Sequence, residues 1–202
     1  MSNFVTNQVQ EIFSSKQEWE SFLLLCQQKD AIRNDWFCNL KSKVNEFALK
    51  TIPNEWGFVS WGLWDFRWFI KEFGGDSLSL WHRESDGYNS LCLWANGNLY
   101  DREKIFTLLQ ESKYSLIESS FDRIDDVCDA NNDFRFIESG NYSFADELDS
   151  GRIDINKLAW YANYRTDELA EQIVAKVNRF ITNPEITKMF IEINKTARKN
   201  EA

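Results

Sequence analysis

The chain has 202 residues, 43% hydrophobic and 27% charged, with nine tryptophans, sixteen phenylalanines and a formal net charge of −9. That length and aromatic content suit one well-buried domain, and the scarcity of proline (two) and glycine (eight) excludes a disordered chain or a turn-dense barrel. No apolar run approaches the roughly 18 residues of a membrane-crossing helix, and an acidic chain is poorly matched to a phosphate backbone, whose binding runs on Lys and Arg releasing counterions.

The opening "MSNFVTNQVQEIF" has neither the basic nor the apolar region of a secretory leader. The four cysteines, Cys26, Cys38, Cys92 and Cys128, form no CxxC pair. Free thiols in a cytoplasmic protein, with no cofactor, are therefore expected. Residues 1–55 read as helices. In "SSKQEWESFLLLCQQK" Ser15 and Glu18 form a capping-box pattern, and Trp19, Phe22, Leu23 and Cys26 follow helical spacing. A further stripe of Ile32, Trp36, Leu40, Val44 and Phe47 runs up to Pro53, which stops the helix.

The period then changes to two. "LWDFRWFIKE", "SLSLWHRE" and "YNSLCLWA" alternate like strands, separated by the turns "GGD" and "SDG". In the first, Trp64, Phe66, Trp68 and Ile70 oppose Asp65, Arg67, Phe69 and Lys71. In the second, Leu78, Leu80 and His82 oppose Ser79, Trp81 and Arg83. Short turns between extended runs imply an antiparallel meander, and bulky groups on both faces call for helical cover. "DREKIFTLLQESKYSLIESSF" predicts a helix capped by Asp101, with Ile105, Leu109 and Leu116, flanked by Phe106 and Ile117, on its buried side. "DFRFIE" offers a fourth strand. Near the C-terminus Leu169, Ile173, Val177 and Phe180 form one helical stripe. Thr182, Asn183 and Pro184 break it, and Ile186, Phe190 and Ile193 begin another. The expected fold is α+β: a three- to four-stranded antiparallel meander packed with N-terminal and C-terminal helices. It forms a single domain, 1–202, whose parts are 1–55, 60–150 and 155–202.

The charge is concentrated. Residues 101–154 carry 14 acidic and 6 basic side chains, a net −8, while 1–100 carry −3 and 155–202 carry +2. Within "DRIDDVCDANND" the spacing Asp129, Asn131, Asp133 begins a calcium loop, but Phe134 stands where glycine is needed and Gly140 where the closing glutamate belongs. A polar loop is the plain reading, since Asp and Asn bond to nearby backbone. An acidic contact surface is the functional one.

Catalytic patterns are weak. His82 is the only histidine, so any Ser or Cys nucleophile with a histidine base must use it; its place beside Leu78 and Leu80 reads as structural. A divalent-metal nuclease would gather Asp65, Asp76 and Glu84, yet no lysine lies at E-x-K spacing in the strands, and "ESK" at Glu111–Lys113 falls in the predicted helix. The cluster Trp56, Phe58, Trp61, Trp64, Phe66, Trp68, Phe69 reads as core. Any exposed member is a candidate anchor for a partner. Base stacking is disfavoured because only Arg67, Lys71 and Arg83 accompany it.

The order of these elements, with Ile105, Phe106, Leu109, Lys113, Ile117 and Glu118 in the helix after the meander, resembles bacterial domains of unknown function that accompany PD-(D/E)XK nucleases in defence-related proteins. The likeness covers about residues 60–121. It implies a non-catalytic domain connected with bacterial or phage conflict, and no catalytic residue carries over.

The function expected from these readings is that of a non-enzymatic acidic binding protein. It would inhibit or neutralise a basic partner that acts on nucleic acid, such as a nuclease, as an immunity protein or a phage anti-defence inhibitor does. Its expected contact residues are Asp122, Asp125, Asp126, Asp129, Asp133, Asp146, Glu147 and Asp149. The alternatives are a nuclease-related domain, metal-dependent or catalytically degenerate, and a subunit whose exposed aromatics are buried in a larger assembly.

Overall fold

A computed structural model describes residues 13–63, 65–85, 88–123, 134–138 and 155–199. The chain opens with α1 (Lys16–Thr51), followed by β1 (Trp56–Trp61), β2 (Asp65–Ile70), β3 (Ser79–Ser85) and β4 (Tyr88–Ala95). Next come α2 (Arg102–Leu109), a 3-10 turn (Ser112–Tyr114), the short α3 (Ser115–Glu118), β5 (Phe121–Arg123) and β6 (Phe134–Glu138). The helices α4 (Ile155–Tyr164), α5 (Thr166–Ile181) and α6 (Pro184–Ala197) complete the described chain.

The expected α+β architecture is present. β1 to β4 form a four-stranded antiparallel meander, and β6 then β5 extend it to a six-stranded sheet in the order β1-β2-β3-β4-β6-β5. The sequence reading missed two of these strands. β1, "WGFVSW", lacks a polar alternate register that would mark it. β5 is three residues long, too short for any period to show.

One face of the sheet carries the main core. Trp56, Phe66, Trp68, Ile70, Leu80, Leu91 and Leu93 pack with Phe37, Leu40, Val44 and Ala48 of α1 and with the apolar stripes of α4, α5 and α6. The C-terminal stripes fall where their spacing places them: Leu169, Ile173, Val177, Phe180, Ile186, Phe190 and Ile193 are all buried. Asn183 caps α6 by accepting from Glu185 N, with Pro184 in its first turn. Asn194, fully buried on α6, ties that helix to the strand region. Its Oδ1 accepts from Leu78 N at 2.8 Å, and its Nδ2 donates to Leu78 O and Phe190 O at 3.2 and 2.9 Å. These bonds satisfy backbone groups that precede β3 and lie in the core.

Local details differ from the sequence reading. Residues 16–51 form one continuous 36-residue helix. Its capping box is present, but only Phe37, Leu40, Val44 and Ala48 are fully buried. Trp19, Phe22, Leu23 and Cys26 are exposed, because nothing among the described elements packs on that part of α1. The 101–121 stretch is not one helix. Asp101 caps α2 through Lys104 N, but the chain leaves helical geometry at Glu111 (ψ 137°) and turns. The turn rotates the next residues, so Ile117 is buried while Leu116 stays 49% exposed. Lys113 therefore sits at a helix break, bonded to Glu192 Oε1 at 2.7 Å.

Two glycines adopt conformations that other residues resist. Gly62, φ 55°, turns the β1–β2 hairpin, and its carbonyl accepts from Lys41 Nζ at 2.7 Å. Gly74, φ 76°, turns the chain after β2, and its carbonyl accepts from Ser77 Oγ at 2.7 Å. Among the described residues no helix is long and apolar enough to cross a membrane.

Candidate interaction surface

The pleat sends alternate residues to opposite faces, and register aligns them across strands. On the core face, Ser60, Phe66, His82 and Leu91 form one row. His82 is buried there with its ring 6.0 Å from that of Phe66. Burial, with a smaller contribution from Lys176, pushes its pKa down to about 3. An imidazole so reluctant to take a proton is a poor general base at neutral pH. The structural reading of His82 therefore fits its surroundings.

On the other face the row is Val59, Arg67, Trp81 and Cys92. Arg67, placed on this side by simple alternation, is only 4% exposed. Its guanidinium carbon lies 4.0 Å from the ring centroid of Trp61, 4.8 Å from that of Trp81 and 3.6 Å from that of Trp94. Nη1 donates to Gly75 O at 2.9 Å. Trp81 and Trp94 meet edge to face at 5.7 Å. A weakly hydrated planar cation is suited to such stacking. The consequence is functional: this arginine is enclosed by indoles and is not offered to a phosphate. Trp61, the outer plate of the stack, keeps 42% of its surface exposed. It is the member of the sequence-predicted aromatic cluster that is open to a partner among the described residues.

The acids proposed for a metal do not converge. Register pairs Phe66 with His82 and Phe69 with Ser79. Asp76 therefore lies beyond one end of the β2–β3 pair, while Asp65 and Glu84 lie at the other. At about 3.4 Å per residue the separation is roughly 20 Å, far outside one coordination shell. Among the described residues no three His, Cys, Asp or Glu residues cluster closely enough to hold a metal ion.

Of the eight acidic contact residues, Asp122 lies on β5, its backbone paired with Ile137 of β6. Asp125, Asp126, Asp129, Asp133, Asp146, Glu147 and Asp149 lie outside the described residues, as do Asn131 and Gly140 of the calcium-loop pattern, whose Phe134 opens β6. The described strands do fix the roots of these stretches. Residues 124–133 join Arg123 of β5 to Phe134 of β6, and 139–154 run from Glu138 to Ile155 at the start of α4. The two roots on β6 are one five-residue strand apart, roughly 14–17 Å. One standard interface, about 800 Å² on each partner, spans that distance.

α4 supplies what sequence reasoning did not single out. Its core side is Leu158, Ala159, Tyr161 and Ala162, and its other side shows Trp160 at 46% and Tyr164 at 63% exposure. Their rings stack at 5.2 Å with 28° between planes, and Trp36 of α1 meets Tyr164 edge-on at 6.0 Å. The signal in the sequence was two aromatics at i, i+4 on the side away from the apolar stripe. Beside them is an open cleft of about 530 Å³ between α1 and the α4–α5 junction. Lys43 in this cleft bonds Asp167 at 3.3 Å, and Arg165 pairs with Glu168. Its charges are thus matched internally, unlike those of a site built for an ionic substrate.

An antiparallel sheet packed with N-terminal and C-terminal helices, with a buried histidine and exposed aromatic side chains, defines an α+β protein. No protein-family model, curated protein or solved structure matches the chain.

Proposed function

We propose that this chain acts by binding, as an acidic inhibitor that occupies the basic surface of a protein that acts on nucleic acid, such as a nuclease. The observation that carries this reading is the exposed Trp160–Tyr164 stack on α4, the helix that directly follows acidic residues 146–154. Stacked aromatics supply a rigid anchor at low entropic cost, and Trp and Tyr dominate interface hot spots. Carboxylates around such an anchor speed encounter with a positive partner and select against negative ones. A protein that grips nucleic acid must present such a positive surface. The role as an immunity protein or anti-defence factor belongs to the same proposal and is supported by the resemblance over residues 60–121.

Affinity capture from the native host at about 50 and 500 mM salt tests this. A basic partner retained at low salt and released at high salt is expected. Trp160→Ala with Tyr164→Ala should weaken capture at both salts, and Asp146→Asn, Glu147→Gln, Asp149→Asn together should flatten the salt dependence. Capture that ignores both sets of substitutions rejects the proposal.

A further inference from the structure

Among the described residues nothing covers the N-terminal half of α1. Every residue from Ser14 to Ala31 is exposed, and these include Trp19, Phe22, Leu23, Leu24 and Leu25 at 39–58% of their full surface. The helical tract from Lys16 to Ala31 extends about 24 Å. Phe13 folds back on it, with ring centroids 5.4 Å from Trp19 and 4.8 Å from Phe22. This is not a fraying end. Ser15 Oγ accepts from Glu18 N at 3.2 Å and Glu18 Oε2 accepts from Ser15 N at 2.8 Å, completing a capping box.

At about 200 Å² for each large side chain, those five residues expose roughly 500 Å² of mostly apolar surface, near the upper end for a monomer. Trp19, Phe22, Leu23 and Cys26 share one helical face, with Leu25 at its edge and Leu24 behind it, so joining two copies along that face removes roughly 600 Å², the size of a weak, reversible contact. The local charge permits it. Residues 13–35 hold Lys16, Lys29 and Arg33 against Glu18, Glu20, Asp30 and Asp35, a net −1 in a chain of −9. Two of these tracts can approach each other where two acidic bodies would repel.

We infer that the chain self-associates through this arm, with the 16–31 segments of two copies packed antiparallel about a two-fold axis near Phe22 and Leu23. Trp19, Phe22, Leu23 and Cys26 are symmetric about that point, so Trp19 of one copy lies over Cys26 of the other. The antiparallel sense also holds the two acidic bodies at opposite ends of the helix pair, where their repulsion is least.

Sedimentation equilibrium of the full chain from about 1 to 100 μM tests the inference. The expected mass rises from 23.9 kDa toward twice that value across this range, and stays at the single mass in Phe22→Asp/Leu23→Asp with the near-ultraviolet dichroism of the body unchanged. A wild-type chain that stays monomeric throughout overturns it and leaves the arm for a different protein. A dimer that survives the double substitution overturns it as well, because the contact then lies elsewhere. Oxidation in a Cys38→Ser/Cys128→Ser background tests the orientation. Antiparallel arms keep the two Cys26 residues about 10 Å apart along the axis, beyond disulfide reach, so quantitative Cys26–Cys26 bridging rules that orientation out.

Discussion

His82 should make this protein acid-sensitive between about pH 5 and 6.5, a range where no other side chain normally titrates. The folded-state pKa is about 3 against an ordinary histidine value of 6.5, so between these values the unfolded chain binds a proton that the native state refuses. The sign follows: stability is full above about pH 6.5 and declines as pH falls toward 3. The slope is about 1.4 kcal/mol per pH unit, so by pH 5 roughly 2 kcal/mol is lost. His82 is the sole histidine, and ordinary carboxylates titrate below this range. Glu46 and Glu192, both held below their usual value by lysine hydrogen bonds, titrate lower still. Urea unfolding at pH 7.5, 6.5, 5.5 and 5.0 should give a falling midpoint in the wild type. His82→Leu, which fits the apolar row, should remove most of that dependence down to pH 5. An unchanged wild-type midpoint over this range, or a variant that keeps the full slope, would refute the buried neutral imidazole.

Other outcomes follow from the same packing. Asn194→Ala strands the N–H and C=O of Leu78 in the core and should cost about 2–4 kcal/mol in chemical denaturation. Arg67→Ala should cost about 3 kcal/mol, through lost stacking and the Gly75 bond, and red-shift tryptophan emission as water reaches Trp81 and Trp94; Arg67→Lys should recover only part of this. Leu116→Glu should lie within about 0.5 kcal/mol of wild type, while Ile117→Glu, one residue on, should prevent stable folding, as judged by thermal melts. Equal effects at 116 and 117 would contradict the helix break at Glu111.

Much of this molecule is legible in its sequence because the signals are local. Ser15 and Glu18, Asp101, and Asn183 with Pro184 mark helix starts by hydrogen bonds made within a few residues. Leu169 to Phe180 and the alternation from Phe66 to Ile70 mark buried faces by period alone. Both kinds of signal depend only on neighbours along the chain, so they survive without knowledge of the fold. What tertiary structure decided is which apolar stripes found a surface to cover. The two halves of α1 both carry helical stripes, yet its described contacts with α4 and α5 begin only at Arg33. Leu116 and Ile117 share one apolar run, and a turn set by packing separates their fates. Arg67 looks like a surface cation until register brings three indoles around it, and Trp160 looks like core until α4 docks with Tyr161 inward. Burial is a property of what lies opposite a residue, and the chain order does not contain that information.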